Sequence, residues 1–194
     1  GPGLANAIYP PSYLSGRWAL GFWGLLGKAP GCEYCSVTAR PARVFKNSFG
    51  TYSYVTLPRD LLFGTTALPV ASAVQPAEFP ENGSLKEQLG RSSLPRIALP
   101  EKAFLDLCFI EGGEWDAARL TGLGLIIGAS RPESIPGIPN LDPAKVRAMA
   151  ERSGRPRLIK AAKALSILAA NRRSAGKQIG EAEIPELPWN EEGL

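Results

Sequence analysis

Residues able to do chemistry are few in this chain, and the gaps constrain as much as the residues present. It has no histidine, so the usual general base near neutral pH and the commonest metal ligand are both missing. Any catalysis would have to rest on Asp, Glu, Lys, Tyr or Cys, and none of the spacings below favours it: a non-enzymatic protein is expected. Of three cysteines, Cys32 and Cys35 stand in the spacing CEYC, that of half a zinc site or a redox pair. A structural zinc needs four ligands, and Cys108 is the only other thiol, so the set cannot close within one chain. A redox CxxC normally follows a strand and opens a helix, whereas this one opens a strand-like run, and the pair reads as incidental. An odd number of cysteines makes no disulfide framework and fits a reducing, cytoplasmic compartment.

Phosphate-binding loops are missing as well. Neither GxxxxGK[ST] nor GxGxxG occurs, and GLGLIIG has the wrong spacing and no helix after it. None of the eighteen acids has a lysine two residues later, which removes the most portable signature of a metal-dependent nuclease of the restriction-enzyme type. What remains is Glu101, Lys102 and Asp106 at a helix start, with Tyr13 as a further candidate. Glu101 suits the positive end of the helix dipole, and Lys102 and Asp106 are four apart, so they can pair on the solvent side. A degenerate nuclease-like or protein-modifying enzyme would have only these residues to work with. No cofactor or metal is expected.

Charge gives a stronger signal. The formal net charge is +4, but residues 143–177 hold ten Lys/Arg against one acid, Glu151, while residues 181–194 hold five acids and no base. A merely solvated helix alternates signs, whereas a run that rejects acids suggests a polyanionic partner. Arg147, Arg152, Arg155, Arg157, Lys160, Lys163, Arg172 and Arg173 are the candidate basic face for nucleic acid or for an acidic patch on a protein. Contacts of this kind would be independent of sequence and sensitive to salt.

The elements that must position these residues are legible in part. Residues 9–26, YPPSYLSGRWALGFWGLL, read as one amphipathic helix with Ser12 or Ser15 as its cap. From Tyr34 the period becomes two: CSVTA, RVFKN and TYSYVTL suggest two or three antiparallel strands, with Gly50 in a turn that needs positive φ and Tyr52 and Tyr54 on one face. Residues 65–95 are rich in proline and read as an excursion, with a strand around Val70 to Val74 and a helical turn at SLKEQLG. RIALPEKAFLDLCFI is a short strand and then a helix from Pro100 or Glu101 that buries Ala103, Phe104, Leu107 and Cys108 and stops at Gly112-Gly113. A weak helix follows at EWDAARLTGL, then a helix capped by Asp142 and running to Arg152. A last helix spans Pro156 to about Asn171, with a stripe of Leu158, Ile159, Ala162, Leu165 and Ala169.

The expected fold class is α+β: a small, mostly antiparallel or mixed sheet with packed helices, followed by a basic helical subdomain. The expected divisions are 1–4, a tag scar and leader; 5–112, the α+β core; 113–177, the basic helices; and 178–194, an acidic, mobile tail. No run of residues approaches the roughly 18 uninterrupted apolar positions that would span a bilayer.

Three blocks in order resemble a known family. They carry Tyr9, Pro10, Ser12, Tyr13, Leu14 and Ser15; then Ser36, Val37, Thr38, Phe49, Gly50, Thr51, Ser53 and Tyr54, with Phe63 and Gly64 after them; then Ala98, Pro100, Glu101, Lys102, Ala103 and Asp106. In these the chain is similar to AbiEi-type antitoxins, the antitoxin and transcriptional-regulator half of type IV toxin–antitoxin systems that act in abortive infection by phage. The resemblance covers roughly the first 110 residues; the basic helices fit the family only in character. It implies that this region neutralises a partner nucleotidyltransferase toxin without the tight complex of other toxin–antitoxin pairs. It also implies part of a DNA-binding autoregulator, whose usual N-terminal winged helix-turn-helix is not in this sequence. Tyr13, Glu101, Lys102 and Asp106 are motif residues to which the resemblance assigns no role.

Overall fold

A computed structural model describes residues 1–27, 31–68, 95–127 and 141–180, with the side chains at 173 and 175–180 outside that description. In chain order come α1 (Pro2–Ile8), β1 (Ser12–Leu14), α2 (Gly16–Phe22), β2 (Glu33–Thr38), β3 (Arg43–Asn47), β4 (Gly50–Thr56), a 3-10 turn (Arg59–Leu61) and β5 (Thr65–Ala67). Strand β6 (Arg96–Ala98) leads into α3 (Pro100–Glu111), and α4 (Ala117–Gly122), α5 (Pro143–Arg152) and α6 (Pro156–Gly180) follow. The six strands form one mixed sheet in the order β3-β4-β2-β1-β6-β5, and with the helices this is an α+β fold.

The stretch expected as a single helix from Tyr9 to Leu26 is instead a strand followed by a short helix. Two prolines without N–H groups, each biasing its predecessor toward extended backbone, keep the chain out of the α region at the start. Ser12–Leu14 then becomes an interior strand, antiparallel to β2 and parallel to β6, because both of its edges find partners there. The aromatics of this segment do enter the core: Trp18 and Trp23 are buried, and their indole N–H groups donate to the carbonyls of Gly31 at 3.2 Å and Ala98 at 2.8 Å. Residues 2–8, the first of them expected as a leader outside the fold, form α1, where Ala5 is buried and its carbonyl accepts from the Tyr54 hydroxyl.

The strands from 33 to 56 are those the period of two predicts, but not all pair antiparallel. β3 and β4 form an antiparallel hairpin, while β4 lies parallel to β2 with Tyr34 opposite Tyr52 and Ser36 opposite Tyr54. Burial decides the order. Tyr52 and Tyr54 are fully buried and take the interior position, whereas β3, with Arg43, Val44 and Lys46 exposed, forms the edge, where charge discourages further pairing. Gly50 closes the hairpin at φ 140°, where a Cβ would stand 2.3 Å from the carbonyl oxygen of Cys32. Tyr9 packs edge-on against Tyr54 with centroids 5.1 Å apart, and Tyr34 stacks on Tyr52 at 4.9 Å.

Alternation places Tyr13 and Val37 on the sheet face opposite to Leu14, Ser36 and Tyr54. On that second face lies α3, which begins at Pro100 as its sequence predicts and is buried continuously from Pro100 to Cys108, a wider burial than the expected four-residue face. Helices α5 and α6 pack on each other and on α3. Val146, Ala150, Leu158, Ala162, Leu165 and Ala169 join the same buried cluster as the sheet residues, with Ile159 half-buried beside it. Asp142 caps α5 by accepting from the Ala144 N–H, as expected, and α6 continues to Gly180 rather than ending near Asn171. The expected strand at 70–74, the SLKEQLG turn, residues 128–140 and the acidic segment 181–194 lie outside the described residues.

Burial raises the Tyr54 hydroxyl to about 12. An unfolded tyrosine ionises near 10, so the stability this group contributes is complete below about pH 10 and is lost as pH rises through about 12. Urea midpoints measured from pH 8 to 12 should therefore fall along an alkaline limb that is shallower in Tyr54→Phe; identical limbs in the two proteins would show that Tyr54 is not held neutral by the fold.

Candidate functional site

The first and third sequence blocks converge on one carboxylate. Asp106, on α3 and 1% exposed, accepts through Oδ2 from the Ser15 hydroxyl at 2.7 Å and the Tyr13 hydroxyl at 3.1 Å, and through Oδ1 from the Lys102 ammonium. Tyr13 comes from β1, and Ser15 stands just before α2 at its N-cap position. Its hydroxyl turns to Asp106, so it makes no cap bond, which corrects the capping role expected of it. Lys102 lies one helical turn before Asp106 and is 2% exposed. The pair expected at the solvent surface is therefore real but fully buried, because α5 and α6 cover the side of α3 that a lone amphipathic helix would leave to water.

Several neighbours make this burial tolerable. Lys102 lies 5.2 Å from the Phe63 ring centre and 5.7 Å from that of Tyr13, close enough for cation–π attraction. Gly64, at φ 68°, lets the chain pass so close that a Cβ there would stand 3.2 Å from the Lys102 Cβ. Burial pushes the Asp106 carboxyl up, against the opposing pull of Lys102, Ser15 and Tyr13. It pushes the Lys102 ammonium down, against the attraction of Asp106. Burial and the Asp106 charge together raise the Tyr13 hydroxyl. Glu101, 4% exposed on the same turn of α3, stands apart from this cluster, its Oε1 accepting from the Asp142 N–H at 3.3 Å and tying α3 to the start of α5.

Basic residues on α5 and α6 occupy different surroundings, and they do not form one uniform face. Acids from elsewhere in the chain answer several of them: Arg155 pairs with Asp60 at 3.0 Å and Lys160 with Glu114 at 2.6 Å, while Arg147 pairs with Glu151 at 2.8 Å. Arg157 donates to the Phe109 carbonyl at 3.2 Å and Arg172 to the Leu125 carbonyl at 2.6 Å. Arg172 thereby fastens α6 to the segment after α4, a structural task that its place in a basic run does not reveal. Lys145, Arg152 and Lys163 are exposed with no acid in ion-pair range among the described residues, and the Arg152 guanidinium lies 5.1 Å from the Phe63 ring centre. The Arg173 side chain is outside the description. Exposed pairs such as Lys160–Glu114 and Arg147–Glu151 hold their cations only weakly, so those groups stay available to a competing anion.

Cys32 is exposed just before β2 and Cys35 half-buried within it. Burial raises the Cys35 thiol to about 11, unfavourable for a reactive thiolate. Among the described residues no group of three or more Cys, Asp or Glu is placed to hold a metal ion, and no helix is long and apolar enough to cross a membrane. The chain matches no protein-family model, no curated protein and no solved structure.

Removing one member of the buried pair leaves the other charge without its partner, at a cost of about 3–5 kcal/mol. Lys102→Met should lose that much in urea denaturation, whereas the double change Lys102→Met/Asp106→Leu should recover most of it. A single variant within about 1 kcal/mol of the parent would mean that the pair is not the structural tie described.

Proposed function

We propose that this chain is the antitoxin domain of a type IV toxin–antitoxin pair of the AbiEi kind, working in the cytoplasm without chemistry of its own and forming part of a transcriptional autoregulator. One observation carries the reading. The residues on which the resemblance rests come from separate blocks, yet Tyr13 and Ser15 from the first and Lys102 and Asp106 from the third meet around a single buried carboxylate, and Gly64, following the second, lies against the Lys102 side chain. Side chains that act together in the fold explain why such blocks occur together and in order, and they support the blocks as the signature of a shared architecture.

The same burial favours a protein that acts through its surface. Asp106, Lys102 and Ser15 are 0–2% exposed, so this cluster is closed to a substrate in this conformation. What faces outward is the cationic surface of α5 and α6, where Lys145, Arg152 and Lys163 have no acid in ion-pair range among the described residues and Lys160 is weakly held. This surface suits the phosphate backbone of a nucleic acid, bound without sequence preference and released by salt. Neutralisation of the nucleotidyltransferase toxin then follows from occupancy of the nucleic acid on which the toxin depends, with no stable antitoxin–toxin complex required.

Growth rescue tests it. Co-expression with the toxin encoded beside this gene should restore survival. The triple reversal Lys145→Glu/Arg152→Glu/Lys163→Glu should abolish rescue while leaving the unfolding free energy from urea denaturation within about 0.5 kcal/mol of the parent, as exposed substitutions do. Rescue that survives these reversals would overturn the basic-surface mechanism, and death despite a folded, expressed protein would overturn the antitoxin reading.

A further inference from the structure

Charge and spacing mark one stripe on α6. Lys160, Lys163, Ile167 and Ala170 recur at intervals of three and four residues, which sets them in line on one face of the helix, and all four are exposed. Ile167 is 59% exposed, an apolar side chain left to water in line with two cations. Lys163 has no acid in ion-pair range among the described residues, and Lys160 meets the exposed Glu114. The residues that follow α6 have the complementary composition. Residues 181–194 carry five glutamates and no base, and their apolar Ile184, Leu187 and Trp189 precede Glu191 and Glu192. A chain folding back antiparallel along α6 from Gly180 meets Ile167 after about 20 Å of helix, Lys163 after about 25 Å and Lys160 after about 30 Å. Pro185 and Pro188 favour an extended backbone, in which roughly 3.1 Å per residue places Leu187 about 22 Å and Glu191 about 34 Å from Gly180. The few ångströms of excess are what a reversal of direction consumes. Apolar therefore meets apolar and acid meets lysine, in the same order along both partners.

We propose that residues 181–194 dock along this stripe and give the chain its own competitor for a polyanionic ligand. The molecule already answers cations of α5 and α6 with acids of its own, Asp60 and Glu114. Each exposed pair is weak, but a tether keeps the segment at a local concentration of millimolar order, so a few weak contacts together suffice. All of them are screened by salt, and the segment yields to a ligand of higher charge density. The basic surface then takes only a nucleic acid with enough phosphates to displace the glutamates, which sets a threshold against short ligands. The inference deepens the antitoxin reading by supplying regulation of that surface, and rests on it only for what the segment yields to.

Carbodiimide cross-linking of the full chain, with the linked peptides read by mass spectrometry, tests the docking without any nucleic acid. In the monomer, Glu191 and Glu192 should join Lys160 or Lys163 about five-fold more often than they join Lys46, which is exposed on the edge strand β3. That preference should vanish in about 1 M salt, where the screening length falls to about 3 Å. Ile167→Ser, which changes no charge, should at least halve the preferred linkage. Glu191→Gln/Glu192→Gln should tighten binding of a fluorescein-labelled oligothymidylate about five-fold at low salt, and Glu33→Gln, an exposed acid on β2, should leave it within about two-fold. Linkage to Lys46 as frequent as to Lys160 and Lys163, linkage found only in covalent dimers, or a preference unmoved by Ile167→Ser would overturn the docking; unchanged affinity for an oligonucleotide that does bind would overturn the competition. Failure of the two readings is separable: an oligonucleotide that binds neither form counts against the basic surface as a nucleic-acid site, while the cross-links alone decide the docking.

Discussion

A carboxylate taken out of water must be met by donors from every side, and the Asp106 side chain imposes that demand on this fold. Its three donors come from the strand at 12–14, the residue just before α2, and one turn earlier on its own helix. Satisfying it fixes how α3 lies on the sheet and how α2 leaves β1. An apolar residue in its place would tolerate small slides of these elements against one another; a charge with directional partners does not. The desolvation of two ions offsets much of their attraction, so the pair is better understood as setting position than as supplying net stability.

Around this centre the molecule separates its polar chemistry into two regimes. Inside, each charge has an assigned partner, and Glu101 extends the same logic by tying α3 to the start of α5. Outside, cations on α5 and α6 are left exposed or loosely paired. Phe63 stands between the regimes, with the buried Lys102 ammonium 5.2 Å and the exposed Arg152 guanidinium 5.1 Å from its ring centre. A half-buried ring that meets both cations packs the surface helix against the interior without adding another buried charge.

The sequence was most readable where pattern is local. The strands at 33–56, the start of α3 at Pro100, the Asp142 cap and the apolar stripe of α6 all follow from period, capping and proline placement. It was least readable where tertiary partners decide. Ser12–Leu14 is too short to announce itself as a strand, and only the pairing of both its edges makes it one. The Lys102–Asp106 spacing predicts the contact, but nothing local tells that two later helices bury it. The basic run likewise hides its acids, since Asp60 and Glu114 lie far from it in sequence. Ser15 gave a signal for another role: a serine before a helix looks like a cap, and its use as a donor to Asp106 is visible only in three dimensions.

The placement of β1 at the middle of the sheet bears on how the protein is made. As the chain leaves the ribosome, β1 can pair with β2 early, but its other edge waits for β6, where Leu14 meets Ile97. At ordinary rates of synthesis the interval between those two residues lasts on the order of ten seconds. For that time an interior strand has an open edge and the Asp106 carboxylate that will organise its face does not yet exist. The nascent chain is therefore most exposed to wrong pairings between the synthesis of β2 and that of β6, and β6 and α3 arrive together, in one continuous segment, to close the sheet and fill its polar centre.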